Sequence, residues 1–335
     1  MRRILILILV LSTLLTATAP AARADDPVQR AIAWLHTQQL ADGSFGNATW
    51  GSASATADVV YVLALAGEDP GGPTWTKGGK SALDALAALT PEYVASGDAG
   101  QAGKVARAVA AAGRDPRHFA GTDVISIIER AYDPVTGRYH PTLLFRHTLA
   151  VEALRRAGEP VPTAAVNALI AAQLPNGGWF WAFIEPGQID PDKDQGDVDA
   201  TGRVLQTLAG PLSLRCLTAT YDRAAAYLAG GQLASGGWGV RAGQAPENAN
   251  STGLVIAGLR AIGRNPEAAM FHTPDHTATA TLLSYQAPIG AFIYIKQAGK
   301  EESRVLATAD ALVGLLQQLA PTPICRPTWL TWSRR

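Results

Sequence analysis

A turn spelled Gln, three residues, Gly, one residue and an aromatic recurs along this chain, and a recurring unit restricts the possible folds more than any other feature of the sequence. It reads Gln39-Leu-Ala-Asp-Gly43-Ser-Phe45, Gln173-Leu-Pro-Asn-Gly177-Gly-Trp179, Gln232-Leu-Ala-Ser-Gly236-Gly-Trp238 and Gln286-Ala-Pro-Ile-Gly290-Ala-Phe292. Asp133-Pro-Val-Thr-Gly137-Arg-Tyr139 keeps the register without the Gln, and Ser81 to Asp98 is a degenerate copy lacking the glycine-aromatic turn. That makes six units.

A second marker has the same period. Gly67-Glu-Asp-Pro70, Gly113-Arg-Asp-Pro116, Gly158-Glu-Pro160, Gly210-Pro211, Gly263-Arg-Asn-Pro266 and finally Ala320-Pro321 are helix stops. Glycine takes the left-handed C-cap conformation and proline cannot continue a helix. Successive stops lie 46, 45, 52, 53 and 57 residues apart, room for two helices and a turn.

The two helices of a unit differ. Val28 to Leu40 sets Ile32 and Leu35 against Arg30, His36 and Gln38, the pattern of an outer, half-wetted helix. Ser54 to Ala66 is apolar nearly all round, as are Val204 to Ala209, Gly253 to Ile262 and Val305 to Leu316. A helix with no polar face must be enclosed, so the second helices form an inner ring and the first an outer one. About 60 Ala and 33 Gly suit two closely packed rings.

Hydrophobic residues at 47% and charged ones at 17% exclude a disordered chain, and 28 basic against 28 acidic residues exclude a nucleic-acid binder driven by global basicity. Residues 1–24 stand apart: Arg2 and Arg3, an apolar run from Ile4 to Leu15, then Ala22-Arg23-Ala24 have the layout of a secretory signal peptide with an A-x-A cleavage site. The run is too short for a membrane span, and no later stretch approaches that length. Cleavage leaves 311 residues with 25 basic and 28 acidic, expected in an extracytoplasmic compartment with the repeats at 25–321 and a tail at 322–335. Cys216 and Cys325 are compatible with a disulfide there, or with two thiols. Their separation of 109 residues gives no support to a metal site.

With its Gln-x-x-x-Gly-Gly-Trp turns and six helix pairs, the chain resembles the prenyltransferase/squalene-cyclase repeat family over Val28 to Pro321. The resemblance implies an all-α fold, an α/α toroid or (α/α)6 barrel of six repeats, shared by terpenoid cyclases, protein prenyltransferase β subunits and transcobalamin-type vitamin carriers. It does not fix the chemistry, because members of that fold perform different reactions. Neither Cys suits a prenyltransferase zinc site, no Gly-Cys-Gly-Glu-Gln thioester signature is present, and there is no room for the β domain of a vitamin carrier. An open solenoid is the other architecture, opposed by terminal units that look like interior ones rather than polar caps.

Inner helices that share a direction bring their N-termini to one mouth, where unpaired N–H groups favour acids and anions. Polar residues delivered there include Asp58, Lys104, Arg107, His147, Asp197, Asp199, Asn250, Glu302 and Arg304. Asp197-Val-Asp199-Ala200 is similar to the Asp-x-Asp-Asp motif with which class II terpenoid cyclases protonate an alkene or epoxide, and the resemblance makes Asp199 the proton donor. The last Asp of the motif is Ala200 here, and alignment with Ser54-Ala-Thr-Ala and Asn250-Ser-Thr-Gly also reads the segment as a helix cap. A mouth carboxylate pair of the (α/α)6 glycosidase type, from Asp58, Asp199 and Glu302, is a further option.

Trp179, Trp181 and Phe183 stand beside the mouth as packing groups or as an apolar lip for a ligand. Asp190, Asp192 and Asp194 alternate before Gly196, a run of hard oxygens compatible with calcium, although Gly is one position late for an EF-hand and the twelfth position is Thr201. The sequence leads to the expectation of a secreted toroid binding an apolar or amphipathic small molecule. A cyclase acting through Asp199 and a non-catalytic scaffold with a filled core are the alternatives.

Overall fold

The computed structural model describes residues 26–46, 52–185, 187–190, 195–209, 217–271, 276–296 and 304–321. The expected signal peptide, Asp192, Asp194, Glu302, both cysteines and the tail lie outside them. The fold is all-α. The odd-numbered helices are α1 (Pro27–Gln38), α3 (Ala82–Tyr93), α5 (Val124–Arg130), α7 (Thr163–Ala171), α9 (Thr218–Gly230) and α11 (Ala278–Ser284). Between them come α2 (Ser52–Leu65), α4 (Ala99–Ala111), α6 (Leu144–Arg156), α8 (Val198–Leu208), α10 (Ala249–Ala261) and α12 (Val305–Leu316). The only strands among the described residues, β1 (Thr76–Lys77) and β2 (Lys80–Ser81), form one short antiparallel hairpin.

The even helices are the enclosed ones. α10 is buried from Ala249 through Leu259, and α8 is buried along its length except at Asp199, whereas α1 buries only Ala31, Ile32, Trp34 and Leu35. α2 packs on α4, α4 on α6, α6 on α8, α8 on α10, α10 on α12, and α12 returns to α2. The odd helices lie against this inner set: α3 on α2, α5 on α4, α7 on α6, α9 on α8, α11 on α10 and α1 on α12. Small residues set the spacing of the inner helices, for a Cβ at Gly253 would lie 2.5 Å from the carbonyl oxygen of Asp310 on α12.

The recurring turn is a hydrogen-bonded lock between neighbours. The Gln173 amide donates to its own turn at Gly177 O (2.9 Å) and to Thr220 O on α9 of the next unit (2.9 Å). Gln286 repeats both bonds, to Gly290 O (2.9 Å) and to Pro27 O at the start of α1 (2.7 Å), and Arg30 of α1 donates to Gln286 Oε1 at 2.6 Å. The last pair is therefore fastened to the first as an interior pair is to its successor. Four of the turn aromatics donate their backbone N–H to a hydroxyl in the first turns of the following inner helix: Phe45 to Thr56, Trp179 to Thr201, Trp238 to Thr252 and Phe292 to Thr308. Buried Trp179 and Trp238 also donate their indole N–H to Leu169 O (2.7 Å) and Leu228 O (2.8 Å), so these rings are wall, satisfied and closed to solvent.

Gly177 holds φ +95°, and a Cβ there would meet Arg223 O at 2.4 Å, so Gly177→Ala loses both the backbone conformation and the fit against α9. Urea denaturation is expected to show a loss of about 2–3 kcal/mol for Gly177→Ala. Gly230→Ala, where no atom lies within 4 Å of the new methyl, is expected to stay within about 0.5 kcal/mol of the parent.

Candidate functional site

All six inner helices send side chains into one cavity of about 430 Å³. Asp58 comes from α2, Lys104 and Arg107 from α4, Phe145 and Leu149 from α6, Asp199 and Arg203 from α8, Asn250 and Leu254 from α10, and Leu306, Ala307 and Asp310 from α12. Asn248, Tyr294 and Arg304 complete the rim. One part of the wall is apolar and aromatic and another carries charge, a mixed lining in place of the apolar interior expected below a polar mouth.

The charged part is organised by Arg107, which is 1% exposed. Its guanidinium reaches Asp58 Oδ1 and Glu152 Oε2, both at 3.3 Å, and lies 4.1 Å from the centre of the Tyr61 ring. Lys104 pairs with Asp58 at 2.7 Å, and the Tyr61 hydroxyl donates to Glu152 at 3.1 Å. Burial acts to raise the Glu152 pKa, but the guanidinium groups of Arg107, Arg156 and Arg203 outweigh it and hold the group at about 2. On the opposite side Arg203 donates to Asp310 at 3.2 Å, and the Asn250 amide donates to the other Asp310 oxygen at 2.8 Å. Burial raises the pKa of Asp310 despite these partners.

Asp197 and Asp199 separate into different roles. Asp197 is the N-cap of α8, accepting from Ala200 N at 2.7 Å, and its own N–H donates to Trp179 O at 2.8 Å. Asp199, two residues on, lines the cavity. Its Oδ1 is sealed from solvent and has no hydrogen-bond partner among the described residues. Burial, then the charge of Asp197, then that of Asp310 raise its pKa to about 7, against a hydrogen bond from Ser251 and the charge of Arg203. The result is a carboxyl group that holds its proton through the acid range up to about pH 7 and faces a ligand-sized space.

The remaining sequence candidates fall elsewhere. His147 occupies in its unit the place that Thr takes in the others: Tyr139 N–H donates to His147 Nδ1 and His147 Nε2 donates to Ala165 O, each at 3.0 Å. Burial pushes its pKa down to about 4, so it is a neutral staple outside the cavity lining. Trp181 is 49% exposed at the surface, and Phe183 is half-buried between His147 and Arg138. Neither they nor Trp179 line the central cavity. Asp190 is partly buried, and among the described residues no group of three or more His, Cys, Asp or Glu side chains could hold a metal. Arg203, Asp310 and Glu152 were not among the sequence candidates, since they sit deeper along the inner helices than the first turn. Only Asp310 carried a signal, as the lone charge of the otherwise apolar α12.

No family model and no curated protein sequence matches the chain. Among solved structures it is similar to the type II terpene cyclase MstE from Scytonema, with 14% identity, a TM-score of 0.59 and coverage of 87% of this chain and 96% of the cyclase. A variant of that cyclase in complex with geranylgeranyl dihydroxybenzoate (substrate) aligns with a TM-score of 0.56 at 13% identity, over 87% and 96% of the two chains. A possible member of the GH105 family from Salmonella enterica aligns with a TM-score of 0.59 at 11% identity, over 93% of this chain and 98% of that one. These likenesses establish a terpene cyclase-like helical fold, which hosts more than one kind of chemistry. Among the described residues no helix is long and apolar enough to cross a membrane.

Removing Arg107 alone leaves Asp58 and Glu152 buried with their shared cation gone, so Arg107→Met is expected to cost about 3–5 kcal/mol in urea unfolding. Adding Glu152→Gln to that variant is expected to restore part of the loss, because Glu152 is then no longer a buried charge short of its closest cation, while Asp58 keeps Lys104.

Proposed function

We propose that this chain is a six-repeat α/α toroid that holds an amphipathic small molecule in its central cavity and donates a proton to it from Asp199. The observation that carries this reading is the Asp199 carboxyl, which lines the cavity, has an unpartnered oxygen and has its pKa raised to about 7. The mixed wall supports an amphipathic ligand over a wholly apolar one, and the terpene cyclase neighbour with its bound substrate supports a small molecule as the thing held. A side-chain-filled scaffold is opposed by a cavity of about 430 Å³.

The chemistry requires little machinery. The π pair of an electron-rich alkene takes the Asp199 proton, a C–H bond forms, and the O–H electrons remain on the carboxylate. Ser251 and Arg203 then stabilise that new negative charge. The rings of Phe145 and Tyr294 offer π faces to the carbocation, which an internal alkene or a lost proton quenches. Asp197 assists from the cap by placing a negative charge near the donor, the role left to it by Ala200 at the last motif position.

Incubating the mature protein with polyprenoids tests the reading, with Asp199→Asn as control. Conversion is expected to fall by a factor of about 10² or more in the variant. Equal conversion by the two proteins would remove Asp199 from the chemistry. The groups facing Asp199 are Asp197 and Arg203 on its own element, Ser251 and Asn250 on α10, and Asp310 on α12. With these in place the rate is expected to be flat below about pH 7 and to fall about tenfold per pH unit above it, as the donor loses its proton.

The same shift has a readout that needs no substrate. Between the ordinary value of 3.8 and about 7, folded Asp199 keeps a proton that the unfolded chain releases, so its contribution to stability declines as pH rises through that window. Asp199→Asn removes this term. The melting temperature of the variant is therefore expected to gain on that of the parent from pH 4 to pH 7.5.

The reading includes export. N-terminal sequencing of protein recovered outside the cytoplasm of an expressing bacterium is expected to begin at Asp25, after the Ala22-Arg23-Ala24 site. An intact Met1 terminus on that material would overturn it.

A further inference from the structure

The cavity contains a second feature that proton donation does not use. Arg203 lines it, is 7% exposed, and spends one nitrogen on Asp310. Its Nε and Nη1 are buried with no hydrogen-bond partner among the described residues. A guanidinium stays charged at any working pH, and two buried donors without acceptors carry a free-energy cost that an acceptor in the cavity removes. The acids at this depth are already committed. Asp310 is held by Arg203 and Asn250, and Asp58 by Lys104 and Arg107. Arg107 is held by Glu152 as well as by Asp58, which leaves the two Arg203 donors as the buried cationic donors of the lining without an acceptor among the described residues.

The geometry points to an anionic ligand, one whose carboxylate or phosphate group sits on the Nε and Nη1 donors of Arg203 with its apolar body against Phe145, Leu149 and Leu254. Arg203 follows Asp199 by four residues on α8, one turn deeper on the same face, so the two side chains leave the helix about 5–6 Å apart at their Cβ atoms and serve the same cavity. The ligand's charged group and the part of it that faces Asp199 are therefore held by neighbouring positions of one helix. The inference rests on the central cavity being the ligand site, as in the proposed function, but it does not require that Asp199 transfer a proton.

Calorimetric titration of the mature protein at pH 6 with octanoate, octyl phosphate and 1-octanol tests it. The proteins to compare are the parent, Asp199→Asn, Arg203→Met and the double variant Arg203→Met with Asp310→Asn, in which no buried carboxylate is left without its cation. At least one anion is expected to bind ten times more tightly than 1-octanol to the parent and to Asp199→Asn, and the preferred anion separates a carboxylate ligand from a phosphate one. In the double variant the preference is expected to shrink to within about twofold while 1-octanol binding is unchanged. Three results would overturn the proposal: 1-octanol binding as tightly as both anions, a full anion preference surviving in the double variant, or no saturable binding of either anion to the parent. An anion preference in a protein that converts nothing would remove the proton-donor reading and leave this one standing, and conversion without any anion preference would do the reverse.

Discussion

The structure depends on how the N-termini of its inner helices are closed. A helix start leaves backbone N–H groups without partners, and six starts gathered at one mouth concentrate that cost. At three of them the neighbouring turn supplies an acceptor. Phe145 N–H at the head of α6 donates to Trp181 O, Val198 N–H at the head of α8 to Val240 O, and Ala249 N–H at the head of α10 to Tyr294 O. The glycine-aromatic turn is thus shared property, stapled to its own Gln, to the hydroxyl of its own inner helix and to the head of the preceding one. A unit removed from this array would expose both an apolar helix and a set of unpaired N–H groups, which is why single units have no independent stability.

Closing the heads in this way governs what can stand at the centre. Inner helices that touch backbone to backbone at Gly253 and Gly202 have no room for large side chains toward their neighbours, so the long side chains turn inward. Arg107, Glu152, Arg203 and Asp310 do so, and in a space with little water they survive only as a paired set. The opposite ends of the helices use the same device differently. Arg155 donates to the carbonyls of Gln206, Thr207 and Ala209 at the end of α8, and Arg260 donates to Gly314 O near the end of α12, each neutralising the negative end of a neighbour.

The all-α architecture was legible because it rests on local signals that repeat: the Gln and Gly of the turn, the helix stops, and the contrast between Val28 to Leu40 and Ser54 to Ala66. The position of Asp199 was legible because its motif is local: Asp197 caps α8, and Asp199 two residues on lines the cavity. His147 and the Trp179 to Phe183 aromatics were misplaced as ligand contacts. Nearness in sequence to a helix start does not reveal which side of the helix a residue faces, and His147 points outward into the slot that Thr201 and Thr252 fill in other units. The Arg203 to Asp310 pair spans 107 residues and joins units four and six across the centre, a relation no spacing rule encodes.

The acid and the cation of α8 are coupled, and the sign of that coupling favours proton donation to an anion. Arg203 is a cation that draws the Asp199 pKa down, against burial, Asp197 and Asp310, which push it up. An anion seated on Arg203 cancels that downward pull and adds a negative charge of its own within about one helical turn. Binding therefore raises the Asp199 pKa further, and near pH 7 it draws a proton into the site. By linkage, ligand and proton each tighten the hold of the other. In the proposed reading, occupancy raises the protonated fraction of Asp199, so the ligand prepares the acid that acts on it.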